Sequence, residues 1–143
     1  LSYCYFLQDP KNWNSITRVA LGISLLEDGS ININKYRGYT GDYAIFEGNF
    51  YSDKAPGMTF MALPAIAAAK LYLVITNENY RWINENDNLT LSFVFATQMA
   101  TIFTSGLLTA IAAAALFFVA IKLGAGLGGA TFGALAYGLA TPA

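Results

Sequence analysis

The sequence predicts an all-α integral membrane fold: polytopic helices with an extracytoplasmic loop that bears juxtamembrane helices and a small hairpin. Three observations predict it. The chain is 55% hydrophobic and only 12% charged, where a soluble domain carries about 25% charged residues. The charge is confined to one end: seven of the eight Lys/Arg and all nine Asp/Glu precede residue 88. From Asn88 to Ile121, and again after Lys122, there is no charged side chain. An uncharged apolar run longer than about 18 residues reads as a transmembrane helix.

Composition also excludes several classes. A net charge of −1 without a dense basic patch argues against nucleic acid as a partner. Cys4 is the one cysteine, so no intrachain disulfide forms. The absence of histidine removes imidazole metal ligands, a Ser-His-Asp triad and a Cys-His pair; no metal-ligating set stands out. Leu1 to Leu7 reads as the last turns of an apolar helix, and Thr141-Pro142-Ala143 ends the chain without a polar flank. No basic n-region with a cleavage site precedes the apolar stretch. The expectation is an N-terminal fragment of a longer multi-pass protein, of the kind found in a bacterial inner membrane.

The elements follow in order. Residues 1–8 are the end of a first transmembrane helix, closed by Gln8-Asp9-Pro10-Lys11. Residues 9–88 form the extracytoplasmic loop. Within it, Ile16, Val19, Ala20, Ile23 and Leu26 share one face of a helix over about 15–28. Asn14 or Ser15 caps that helix, Gly29 closes it, and Thr17, Arg18 and Glu27 take its other side. Such a helix lies on a membrane surface or on other helices. Residues 30–52 alternate like strands, with Glu47-Gly48-Asn49 as a hairpin tip. Six aromatic residues crowd that stretch (Tyr36, Tyr39, Tyr43, Phe46, Phe50 and Tyr51), as at a membrane–water interface.

Residues 57–76 are apolar but contain Pro64 and Lys70. A lipid-exposed lysine in mid-bilayer costs about 2.5–3.5 kcal/mol, so this helix either spans with Lys70 snorkelling or lies at the interface. Residues 77–88 are acidic and aromatic and read as an outer, interfacial loop, with Lys122 on the inner side. Residues 89–121 give one long transmembrane helix. Residues 123–143 give another, truncated, whose Gly124, Gly128, Gly129 and Gly133 supply GxxxG spacings for close helix packing.

The most specific stretch is Phe50-Tyr51-Ser52-Asp53-Lys54-Ala55-Pro56-Gly57. It sets a carboxylate and an ammonium at a helix start, with Pro56 in the first turn, where anions bind readily. Tyr51-Ser52-Asp53-Lys54-Ala55-Pro56-Gly57 resembles the aromatic-acid-Lys-Pro-Pro motif of the GT-C superfamily of membrane glycosyltransferases, in the branch of the aminoarabinose transferases and protein mannosyltransferases. Asn14-Ser15-Ile16-Thr17-Arg18 resembles the acidic motif at the start of that family's first loop. The resemblance covers the chain as the N-terminal part of such a protein. It makes residues 57–76 the second juxtamembrane helix.

What the resemblance implies is transfer of a sugar from a polyprenyl-phosphate donor to an extracytoplasmic acceptor. A loop carboxylate serves as general base, basic residues hold the phosphate, and a divalent metal is a possible cofactor. Lys54 carries over as the phosphate-holding residue, with Asp53 beside it and Arg18 within reach. The sequence departs from the pattern where Asn14 stands at the position of the catalytic acid, and where Ala55 replaces the first proline. An amide accepts no proton at neutral pH, so the base falls to Asp9 or Asp42. The other reading is a non-catalytic transmembrane subunit or scaffold, packed by its glycine-rich helix against other membrane-protein chains. Membrane lipids are partners under either reading.

Overall fold

A computed structural model describes residues 12–76 and 80–140. The first-helix segment at 1–8 and Asp9 lie outside the described residues. The fold is mostly helical, with one two-stranded sheet. Helix α1 spans Trp13–Asp28, followed by a 3-10 turn at Asn34–Tyr36. Strands β1 (Tyr43–Phe46) and β2 (Asn49–Ser52) form a hairpin. Helix α2 spans Gly57–Thr76, α3 spans Leu91–Lys122 and α4 spans Leu127–Ala140. Helices α2 and α3 are long and apolar enough to cross a membrane.

Helix α1 starts two residues earlier than its apolar periodicity suggests. Asn12, not Asn14 or Ser15, caps it, its side chain accepting from the Asn14 N–H at 3.0 Å. Gly29 ends it in the left-handed region, at φ 60°. Ile16, Val19, Ala20 and Ile23 are buried as their spacing predicts, but Leu26 is 38% exposed. Thr17, read as outward, is fully buried because its hydroxyl donates to the Asp42 carbonyl at 2.7 Å.

Helices α1 and α2 run side by side and parallel. Arg18 meets Thr59, Gly22 faces Ile66, and Glu27 meets Lys70, so contacts advance together along both helices. Gly22 permits the close approach: a Cβ there would stand 2.6 Å from Ile66 Cδ1. Parallel neighbours need a connection that returns along their whole length. The chain does this between Lys35, paired with Asp28 at the C-terminal end of α1, and Thr40, whose hydroxyl donates to the Trp13 carbonyl at 3.1 Å. The hairpin then leads into α2. Its two-residue turn, Glu47–Gly48, has φ of 49° and 76°, the left-handed pair of a type I′ turn. Asn49 therefore belongs to β2, opposite Phe46, and not to the tip.

Helix α3 has two unlike halves. Phe93, Ala96 and Ala100 are buried in the same core as α1 and α2, and Phe93 packs on the Tyr36 ring at 5.8 Å. A π-turn at Ile102–Gly106 interrupts the helix. Beyond it, no residue of Leu107–Lys122 is buried, and that half packs chiefly on α4 among the described elements. Gly124, at φ 87°, ends α3 in a Schellman-type closure, with the Ala125 N–H donating to the Ala120 carbonyl at 3.0 Å. The helix read as 123–143 therefore begins at Leu127. A Cβ on Gly124, Gly128, Gly129 or Gly133 would meet nothing within 4 Å, whereas Gly138 is buried.

Candidate functional site

The chemistry-bearing residues gather where α1 and α2 begin. The Thr40 hydroxyl donates to the Trp13 carbonyl and accepts from the Asp42 N–H at 3.1 Å. The Thr17 hydroxyl fixes the Asp42 carbonyl. Gly41 lets the loop pass close to Trp13, since a Cβ there would sit 2.7 Å from the indole ring. Three independent contacts thus set the Asp42 backbone against the first turns of α1.

Strand β2 delivers the other partners. Just beyond it the chain turns through Asp53-Lys54-Ala55 to Pro56, whose carbonyl accepts the first helical bond of α2 from Phe60 at 2.9 Å. Pro56 is therefore at the cap, one residue before the helix proper. Lys54 Nζ stands 3.2 Å from Asp42 Oδ2 and 3.2 Å from Asp53 Oδ2. The hydrogen bond to Asp53 is the largest influence on the Lys54 ammonium; partial burial opposes it, Asp42 reinforces it, and the net effect raises its pKa. Lys54 is thus a fixed cation, but one whose charge faces two carboxylates.

Arg18 stands apart from this triplet. The Thr59 hydroxyl donates to its carbonyl at 3.2 Å, which places it between Thr17 and the first turn of α2. It makes no ion pair among the described residues, and it does not pair with Glu27. Its Nε is buried without a hydrogen-bond partner. A buried donor left unmet costs about 1–3 kcal/mol, more when charged. The structure therefore joins Asp42, Asp53 and Lys54 and places Arg18 on the neighbouring turn, while Asp9 lies outside the described residues. No group of three or more metal-binding side chains occurs among the described residues. Asp42 and Asp53 already share Lys54 between them, a donor set that does not fit a divalent cation.

A second cluster lies at the opposite end of α1 and escaped the sequence reading. Glu27 Oε1 is 3.1 Å from Lys70 Nζ and accepts from Trp82 Nε1 at 2.9 Å. Lys70, half-buried, pairs with α1. Trp82 is buried and pins the 80–90 loop to the core, where an interfacial position was expected. Tyr36, in the same aromatic expectation, is buried too, and its phenol is pushed up chiefly by that burial, with Glu27 adding to it. The signal available in the sequence was the demand of a lone lysine in an apolar helix for a partner; the spacing of 43 residues hid which one. No family model, curated protein or solved structure matches this chain.

Proposed function

We propose that the chain is part of a multi-pass membrane glycosyltransferase of the GT-C kind, moving a sugar from a polyprenyl-phosphate donor to an acceptor hydroxyl outside the cytoplasm. The observation that carries the reading is the meeting of Asp42 with Lys54, at 3.2 Å, at the head of α2. Asp42 engages Lys54 through Oδ2, which leaves Oδ1 to accept a hydrogen bond. In the reaction, the acceptor oxygen bonds the anomeric carbon while Asp42 takes its proton. The bond from that carbon to the phosphate oxygen breaks, and its electron pair leaves with the phosphate. A carboxylate within reach of the hydroxyl and fixed positive charge at the phosphate are what the step requires.

The path of the chain supports a location at the membrane face. Were α2 to cross the bilayer, the parallel α1 would cross with it, and so would the connection that returns between them. That connection carries exposed Lys35, Arg37 and Gly38. Irregular backbone facing lipid is not tolerated at membrane depth. The α1–hairpin–α2 body therefore stands on one side, and α3 makes the crossing. At 1.5 Å per residue, α3 is about 48 Å long. Its portion from Ile102 to Lys122 spans about 31 Å, close to the ~30 Å hydrocarbon core. The bare apolar faces of α4 and the second half of α3 are then lipid-facing.

Those same faces, with Gly128, Gly129 and Gly133 open, favour the second reading, a non-catalytic subunit seated against other membrane helices. One experiment separates the two. The intact protein is reconstituted in vesicles with a set of labelled polyprenyl-phosphate sugars, and Asp42→Asn is compared with wild type. A loss of about 100-fold or more is expected for a general base. Equal turnover by the variant sinks the catalytic assignment of Asp42. No transfer by the wild type leaves the subunit reading.

A further inference from the structure

The 80–92 segment, pinned to the core by Trp82, borders two clefts. One, of about 840 Å³, is lined in part by Tyr80, Arg81, Asn84 and Asn86. The other, of about 350 Å³, lies over Glu27 and Trp82, and the two share Tyr80 and Arg81. Both volumes fall within the roughly 300–1,000 Å³ of ligand sites. Both clefts are shallow and open to solvent, so that together they form a groove. The groove lies at the C-terminal end of α1. The Asp42–Lys54 pair lies at the other end of that 16-residue helix, which is about 24 Å long.

The walls are fixed before any ligand arrives. Ile83 pairs with Leu89, the Asn84 N–H donates to the Asn88 carbonyl at 2.9 Å, and the Thr90 N–H donates to the Trp82 carbonyl at 3.1 Å. The Tyr80 ring meets Trp82 edge to face at 5.3 Å. Every charged residue lining either cleft is already paired: Glu27 with Lys70, Lys35 with Asp28, and Arg81 with Glu85. The groove therefore selects neither an anion nor a cation. What it leaves open is uncharged. Asn84 Oδ1 accepts from the Asn86 and Asn88 N–H groups at 3.1 and 2.9 Å, which holds the amide and leaves its Nδ2 without a partner among the described residues. The Asn86 side chain makes no hydrogen bond among them either. An aromatic ring beside held amides suits a hexose, which has an apolar C–H face and a rim of hydroxyls. An open groove suits several linked units better than one.

We infer that this groove binds a neutral oligosaccharide, at a site separate from the proposed transfer chemistry and independent of it. In the proposed arrangement α3 enters the bilayer at Ile102. Leu91, which lines the groove, then stands about 17 Å outside the membrane. A lipid headgroup does not reach that far; a water-borne glycan does.

Calorimetric titration of the intact protein, in a detergent without a sugar headgroup, tests the inference. The probes are maltopentaose, cellopentaose, chitopentaose, the charged pentagalacturonate, and glucose. At least one neutral pentamer is expected to bind, at least tenfold more tightly than glucose. Tyr80→Ala should weaken it at least tenfold, and Tyr80→Phe, which keeps the ring, less than threefold. Asn86→Ala removes a side chain that the fold does not use and should weaken binding at least threefold. Thermal unfolding checks that each variant is folded; if Tyr80→Ala is not, Asn86→Ala decides. Absence of binding by every neutral pentamer overturns the inference, as does tighter binding of pentagalacturonate than of any of them. Wild-type affinity in folded Tyr80→Ala or in Asn86→Ala overturns it too. Binding lost in Asp42→Asn puts the sugar at the head of α2 instead, which overturns the separate site and leaves the transfer reading standing.

Discussion

Replacing Glu27 by Gln tests what holds Lys70 in an otherwise uncharged helix. The amide keeps an oxygen that can accept from Trp82 Nε1, so the substitution removes the charge and little else. Lys70 is then an ammonium in a largely apolar setting, with its one carboxylate partner among the described residues, at 3.1 Å, gone. Breaking a fully buried pair costs about 3–5 kcal/mol, and an exposed pair is worth about 0–1 kcal/mol. The side chains here are 31% and 24% exposed, so about 2 kcal/mol is expected, between those limits. Lys70→Met should cost less, because Glu27 keeps its bond from Trp82. The double variant should approach wild type, since neutral groups replacing a buried pair are often tolerated. Equilibrium unfolding in detergent supplies the four stabilities of the cycle. If the two single effects add to within about 0.5 kcal/mol, the pair is not coupled and Lys70 is held by something else.

Two further outcomes follow from the core and from its rim. Phe93→Ala removes a ring that is fully buried against Tyr36 and should cost about 3–5 kcal/mol; a loss below about 1 kcal/mol, measured by the same unfolding assay, would mean that α3 does not pack on α1 and α2 as described. Tyr39, whose hydroxyl donates to Asp87, is pushed from 10.0 up to about 12, first by desolvation and then by the bond to Asp87. Its folded pKa lies above the unfolded one, so its contribution is intact below pH 10 and is lost as pH rises toward 12; wild type should lose stability more steeply than Tyr39→Phe over that window, and an ultraviolet titration that finds no phenol ionising late would refute it.

Local structure was legible wherever a short-range rule governed it. The hairpin followed from alternation around Glu47-Gly48, because a two-residue turn with both φ positive wants such residues. Helix α2 followed from an apolar run after Pro56. What stayed hidden depended on partners far along the chain. Thr17 looked like a solvent residue by position on its helix, and is buried because a loop 25 residues later uses its hydroxyl. Trp82 and Tyr36 looked interfacial by type, and are core residues because Glu27 and Phe93 receive them. Of the glycine spacings after residue 123, the first is interrupted, since Gly124 is a helix terminator. At the site, Asp42 and Lys54 were both named from the sequence, but nothing in it placed them 3.2 Å apart. The unmet Nε of Arg18 needed coordinates altogether.

Helix α2 carries the wider point. By length and apolar content it is indistinguishable from a span, and its half-buried lysine is the one charged residue in it. Hydropathy measures what a helix can tolerate around it, and that is satisfied equally by lipid and by packed side chains. The decision comes from connectivity. A parallel neighbour forces a return segment of the same length, and that segment must live wherever the two helices live. Here it exposes Lys35, Arg37 and bare backbone at Gly38, groups that water satisfies and hydrocarbon does not. The ion pair from Glu27 to Lys70 points the same way, since it joins α2 to a helix that carries Arg18, Glu27 and Asp28. In the proposed arrangement the head of α2, with Asp42, Asp53 and Lys54, stands at the aqueous side.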